Sequence, residues 1–430
     1  MTMKQIAAKT SRRITSVMGA IVALMLVAAA ATPSFAAPLI NPVIVTNPAG
    51  WKYKDGKTSD KISGKAVIPQ LASYFSNGFG IGIARVDGTT NSFTPVWTLA
   101  TKNHKSWKVN IKKTINMSYN AKNGAFVCTV WTQLPPNWAV YVVDTGIGLI
   151  LGGKFNMGTN NIPFDEQMAN AGPNHQVYVS TFYMDKYEVT YTQWTNVRTW
   201  ATNNGYTALA AGSGKAPNHP VQTVSWYDCV KWCNARSEME GRTPCYYTST
   251  KFIATNIYKT GSVNLSNNWV NWNANGYRLP TEAEREKAAR GGLSGQRFPW
   301  EDLNITHTNA NYHSSSSYTY DTSATRGFHP AFTNASTPYT SPVDYFAPNG
   351  YGLYDMAGNV WEWTWDWYDA TWYSNVGATQ SDTPGPVSGT SRVLRGGGWS
   401  YSADSSRVAY RSDRTPDFTY NRIGFRSVHR

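Results

Sequence analysis

Between residues 361 and 367 the chain reads WEWTWDW. Trp361, Trp363, Trp365 and Trp367 take alternate positions, with Glu362, Thr364 and Asp366 between them. A period of two predicts a β-strand, because successive strand side chains point to opposite faces. One wall of that strand is indole and is read as core. The other wall is oxygen. The segment LPTEAEREKAARGG predicts a helix instead. Pro280 precedes it, Thr281 caps it, and Glu284 completes a Thr-x-x-Glu box that satisfies two orphan N–H groups. Glu286 and Arg290 are an i,i+4 pair, and Gly291–Gly292 ends the run. In VSWYDCVKWCNARSEMEG, Val230, Cys233 and Ser237 recur at helical steps, and Gly241 is a stop. VYVSTFYMDKYEVTYTQW reads as a strand followed by a helix start capped by Thr190. GLILGGKFNMGT reads as two short strands about a glycine turn. From the Thr281-capped helix to residue 345 the pattern is irregular and includes SSSSY, a stretch that needs ions or function to order it.

Earlier in the chain, residues 37–147 carry short β-branched and aromatic runs such as FGIGIARV, SWKVNIKK and WAVYVVD, with Asn, Gly and Asp between them. These predict a small β-rich module, a sandwich-like stalk or binding unit. Residues 1–36 differ again. Lys4, Lys9, Arg12 and Arg13 precede an apolar stretch from Val17 to Ala31, and Ser34 and Ala36 suit a signal-peptidase site. That pattern predicts a secretory signal cleaved after Ala36, with an uncleaved anchor as the alternative. The expected compartment is therefore outside the cytoplasm: secreted, periplasmic or cell-surface associated. No later run is long and apolar enough to span a bilayer as a helix.

Cleavage would remove four positive charges from the formal +13 and leave +9. The remaining Lys and Arg are scattered, with no dense basic run and no nucleic-acid motif, so the charge reads as solubility rather than nucleic-acid binding. Four cysteines occur, Cys128, Cys229, Cys233 and Cys245. Their spacing lacks the histidines of a zinc site. Export permits a Cys233–Cys245 bridge, the preferred pairing. The alternative is that Cys229 and Cys233 are buried thiols on one helix face.

Two places carry candidate chemistry. Asp355, Glu362 and Asp366 lie near a turn rich in glycines and carbonyls, and oxygen ligands suit a hard cation such as Ca²⁺. The same residues serve equally well as hydrogen-bonded structural carboxylates. The second place is RVLRGGGWSYSADSSRVAYR, residues 392–411. Three glycines free the backbone there, and rings and hydroxyls follow.

Taken in order, GGKFNMGT, VSTFYMDKYEVTYTQW, HPVQTVSWYDCVKWCN, GYRLPTEAEREKAARGG, RFPWED, NGYGLYDMAGNVWEWTWDWY, RVLRGGGWS and NRIGFR resemble the formylglycine-generating enzyme (sulfatase-modifying factor) family over residues 148–430. The resemblance implies an α+β, C-type-lectin-like fold with much irregular structure. It also implies oxidation of a sulfatase cysteine to formylglycine by a copper-binding cysteine pair, and two structural Ca²⁺ sites. One site maps onto the side chains of Asp355 and Glu362 and the carbonyls of Gly358 and Val360. The other begins at Asn311 and Tyr312, but its Asp is absent, with only Asn334 and Ala335 at that place. The cysteine pair maps onto Tyr401 and Ser406. Neither can hold soft Cu(I) through thiolate, so copper is not expected. A second branch of the superfamily uses a three-histidine iron site. The seven histidines here (His104, His175, His219, His307, His313, His329 and His429) make no i,i+3 or i,i+4 pair on a predicted helix.

The expectation is therefore a non-catalytic exported binding protein. Trp399, Tyr401, Asp404, Arg411 and Arg414 would line a pocket for a glycan, a peptide or an exported protein. The alternative is a formylglycine-generating-type oxidoreductase with a non-standard active site.

Overall fold

The computed structural model describes residues 146–160, 171–333 and 336–430, together with the backbones of strands before residue 145. The predicted signal at 1–36 lies outside the described residues, as do the side chains of Cys128 and His104. Two compact units divide at Thr145/Gly146. The first contains β1 (Val43–Val45), β2 (Ser63–Ala66), β3 (Phe79–Arg85), β4 (Thr98–Ala100), β5 (Trp107–Ile111), β6 (Lys113–Asn120), β7 (Ala125–Val130) and β8 (Trp138–Asp144). They form two antiparallel sheets in the orders β1-β8-β3-β4 and β2-β7-β6-β5.

The second unit carries the candidate chemistry. β9 (Ile147–Ile150), β12 (Phe182–Asp185) and β17 (Val428–His429) make one sheet, so the last residues of the chain pair with its early part. β10 (Gly153–Met157) and β11 (His175–Val179) form a hairpin-like pair. β13 (Trp361–Trp367) is central in a sheet with β14 (Arg392–Arg395), β15 (Ser412–Arg414) and β16 (Ile423–Gly424), and its pairing with β16 is parallel. Among the described residues, three helices pack on these sheets: α1 (Tyr191–Thr202), α2 (Trp226–Met239) and α3 (Glu282–Ala289). Thr190 caps α1 by accepting from the Gln193 N–H. Ser225–Asp228 and Thr281–Glu284 are complete capping boxes on α2 and α3, as the Thr-x-x-Glu spacing predicts for the latter.

The alternation in β13 is real, but neither wall meets water: all seven residues are buried. The indole wall joins Trp194, Trp226 and Trp232 in the main core. Trp N–H groups cannot be buried unpaired at low cost, and two of the wall's indoles have acceptors. Trp363 Nε1 donates to the Val224 carbonyl at 3.1 Å and Trp365 Nε1 to Asn267 Oδ1 at 2.9 Å. The preferred Cys233–Cys245 bridge does not form. Cys229, Cys233 and Cys245 are free and buried. The Cys245 thiol donates instead to the Gly276 carbonyl at 3.3 Å. The stretch from 293 to 345 is irregular as expected, apart from a short 3₁₀ turn at Pro330–Phe332. Asp321 organises much of it. Its carboxylate accepts from Tyr312 Oη at 2.7 Å, Ser314 Oγ at 2.9 Å and the Ser315 N–H at 2.7 Å. No helix among the described residues is long and apolar enough to cross a membrane.

Candidate functional site

β14 delivers the chain into the glycine turn. Gly396 and Gly397 have φ of +96° and +77°, where a side chain is strained. Space forbids one as well: a Cβ on Gly397 would stand 2.9 Å from the Ser405 carbonyl oxygen. The loop then folds into a 3₁₀ turn, Ala403–Ser406. Tyr401 is half-buried and Ser406 is buried, with a hydroxyl that has no hydrogen-bond partner. No thiol stands in this loop. The cysteines of α2 are fully buried, and burial pushes both of their thiols well above the usual range. That is the opposite of an activated nucleophile.

The five expected pocket residues do not converge. Trp399 is buried, its ring 5.2 Å from Tyr339 and 5.7 Å from Phe328. Arg411 is removed from any ligand-facing set. It is 1 % exposed, and its guanidinium grips Glu282 at 2.6 and 2.9 Å. Asp404 is half-buried, and burial raises its carboxyl above the usual range. Tyr401 and Arg414 reach the surface, and there they belong to a strip that the sequence reading missed. The Arg422 guanidinium lies 4.7 Å from the Tyr401 ring and 4.3 Å from the Tyr420 ring. Tyr420 stacks on Phe418 at 6.1 Å, and Arg414 lies 5.5 Å from the Phe418 ring. The strip thus runs Tyr401, Arg422, Tyr420, Phe418, Arg414. Its signal was the interleaving of rings and guanidiniums in RTPDFTYNR. A separate cleft of about 790 Å³, walled by Arg407 to Tyr410 together with Arg290 and Gln296, is lined by none of the five.

Behind the loop lies a layer of buried charge. The oxygen wall of β13 faces α3. Arg285 donates to both oxygens of Glu362 at 2.7 and 3.0 Å, and Arg426 donates to the same two at 2.9 and 2.9 Å. Burial alone would raise this carboxyl, but the two guanidiniums hold it below its usual range. Asp366 accepts from the Glu282 N–H at 2.6 Å, and burial with the nearby Glu282 pushes it up to about 8.

The calcium ligands implied by the resemblance fit in part. Asp355 is buried, and neither carboxylate oxygen has a hydrogen-bond partner. Burial pushes its carboxyl well above the usual range. A buried, unpaired carboxylate is costly, and a cation would relieve it. Asp355, Gly358 and Asn359 all have positive φ, of +53°, +83° and +62°, which curls the turn around itself. Asn311 Oδ1 is likewise buried without a partner. Glu362, by contrast, already holds four N–H donors. The Tyr312 carbonyl faces His307 Nε2 at 3.2 Å. Asn334 and Ala335 lie outside the described residues. No group of three or more His, Cys, Asp or Glu gathers as a metal cluster among the described residues. His307 and His329 are neighbours, 4.9 Å between rings, but His329 Nε2 meets the His307 carbonyl at 2.7 Å.

The second unit is thus a mixed α/β body with few helices among the described residues, a buried Arg–Glu layer and a glycine-turn loop. Residues 143–430 match the sulfatase-modifying factor enzyme 1-like domain, and the chain belongs to that family. A formylglycine-generating enzyme of Thermomonospora curvata is 34% identical over 309 residues, 66% of this chain and 93% of that protein. The chaperone protein LppX of Paenibacillus barcinonensis is 35% identical over 272 residues, 62% of this chain and 83% of that protein. Among solved structures, Treponema denticola variable protein 1 aligns with a TM-score of 0.49 at 29% identity, covering 66% of this chain and 94% of that one.

Proposed function

We propose that this chain is a non-catalytic, exported member of the family that binds a protein partner through the surface formed by residues 400–422. What supports this reading is that the glycine-turn loop, residues 392–411, contains no cysteine, while Cys229, Cys233 and Cys245 are buried in the core. The partner class follows from composition. The strip offers rigid rings and guanidiniums, flanked by half-exposed Ser400, Ser402, Asp413 and Asn421 and exposed Thr415. Rings with short polar neighbours are what antibody-type binding surfaces use, since they give large contact area at small entropic cost. A structural Ca²⁺ at Asp355, with the carbonyls of Gly358 and Val360, belongs to this proposal. It would neutralise the buried carboxylate and hold the turn.

The relatives that are formylglycine-generating enzymes favour the competing reading, an oxidase with another active site. One experiment separates the two. The purified chain is incubated with copper and a cysteine-containing sulfatase peptide, and the peptide is read by mass spectrometry. Unchanged cysteine is expected. Formylglycine formed at a rate proportional to the chain's concentration overturns the non-catalytic reading.

A further inference from the structure

Asn359 lies between the Asp355 turn and the glycine-turn loop, and it is fully buried. Each of its four polar groups goes to a different segment. Its N–H donates to the Asn311 carbonyl at 2.8 Å. Its carbonyl accepts from the Trp399 N–H at 2.8 Å. Its side-chain Oδ1 accepts from the Ser341 N–H at 2.9 Å. Its Nδ2 donates to Glu188 Oε2 at 2.6 Å. A second bond runs parallel to the Trp399 contact, from the Gly358 N–H to the Gly396 carbonyl at 2.8 Å. The fit is tight, because a Cβ on Gly358 would stand 2.4 Å from the Asn311 carbonyl oxygen. Glu188 closes the frame by also accepting from the Val360 N–H at 3.2 Å. The turn that bears the unpartnered Asp355 carboxylate is therefore bonded directly to the start of the candidate binding loop.

We propose that Asn359 couples divalent-cation occupancy of the Asp355 turn to the order of the 396–406 loop, so that Ca²⁺ regulates the candidate binding surface. The proposal rests on the cation site at Asp355 and on the binding role of that surface. A cation on Asp355 and the neighbouring carbonyls fixes the turn's left-handed residues. Asn359 sits within that turn, and the bonds of its side chain to Glu188 and Ser341 hold in place the carbonyl that accepts from the Trp399 amide. Trp399 in turn anchors the loop from which Tyr401 projects. Asn359 is a positioning residue here and touches no ligand itself. Its left-handed backbone also explains the residue type, since Asn tolerates positive φ better than most residues.

Hydrogen exchange of the full chain, with and without calcium, tests this without any partner. Calcium uptake is measured separately by titration calorimetry. In the wild type, calcium is expected to slow exchange of the Trp399 amide about tenfold, the effect of about 1.4 kcal/mol of added local stability. Asn359→Gly keeps the positive φ and the backbone bonds but loses those to Glu188 and Ser341. It is expected to take up calcium while most of the effect at Trp399 disappears. Glu188→Gln provides a second variant that keeps Asn359 itself. A variant that is merely destabilised would speed exchange with and without calcium alike, leaving the ratio intact, and that result overturns the coupling. So does a wild type in which calcium protects residues 355–362 but not Trp399. A chain that takes up no calcium overturns the cation site and the coupling together, and leaves the partner-binding reading to its own test.

Discussion

At the scale of single residues, Asp355 is the most exacting position in the second unit. Glu362, near the start of β13, looks equally apt as a cation ligand in the sequence, yet two arginines from distant segments have claimed it. Nothing has claimed Asp355. The two carboxylates therefore divide into a paired one that needs no cation and an unpaired one that does. A ligand that binds only the folded state stabilises it by about 2.7 kcal/mol at a hundred times its Kd. Calcium should therefore raise the melting temperature of the wild type, and EDTA should reverse the rise. In Asp355→Asn the calcium response should be mostly lost. Without calcium the variant should be at least as stable as the wild type, because a buried charge has been removed. Scanning calorimetry of both proteins, with and without calcium, checks this. An undiminished calcium response in the variant would place the cation elsewhere.

At the scale of elements, α3 shows where reading the sequence succeeds and where it stops. Its start and end were legible, since capping depends on residues three apart. Its environment was not. TEAEREK has the composition of a solvated helix, but every residue of α3 is buried. Glu282 pairs with Arg411, Glu284 with Arg278 and Glu286 with both Arg290 and Arg395. Two of these partners, Arg395 and Arg411, come from other segments, and no local pattern announces them. The aromatic strip differs, since Arg414, Phe418, Tyr420 and Arg422 lie within RTPDFTYNR and only Tyr401 comes from another segment. The cysteine pairing failed for a related reason, because spacing alone cannot report which way a thiol points. A consequence can be measured. Removing one partner of a buried pair typically costs about 3–5 kcal/mol, whereas removing a cap costs about 1 kcal/mol. Glu286→Gln, which leaves Arg290 and Arg395 without their shared anion, should therefore lose several-fold more stability in urea than Thr281→Ala. Equal losses would mean that the arginines find other partners and that the layer is only loosely specified.

At the scale of the whole molecule, the resemblance foretold more than periodicity could. It implied the α+β fold, whose irregular middle the residue pattern had already marked and which Asp321 and a small aromatic cluster organise. Long-range closure remained invisible, notably β17 returning to β12. His429 sits in that closing strand, stacked 4.9 Å from Tyr183 and set edge-on to Tyr277 at 5.2 Å. Burial, then the nearby Arg242, pushes its pKa down from the ordinary 6.5 to about 3. Between those values the unfolded chain binds a proton that the folded chain refuses. The stability His429 contributes is thus whole above pH 6.5 and is lost as pH falls toward 3. Asp366 works in the opposite sense. Its carboxyl, raised to about 8, favours the folded state below its ordinary value of 3.8, and that contribution fades as pH rises through 8. A bare pH profile mixes the two, so the comparison is with His429→Gln. Each pH unit of an uncompensated proton is worth about 1.4 kcal/mol. Between pH 6.5 and 4.5 the wild type should therefore lose on the order of 2–3 kcal/mol more than the variant. Urea unfolding at the two pH values reads this difference directly. If the profiles of the two proteins run parallel, the closing strand opens to admit the proton without unfolding the unit, and β17 is a locally opening element rather than part of its cooperative core.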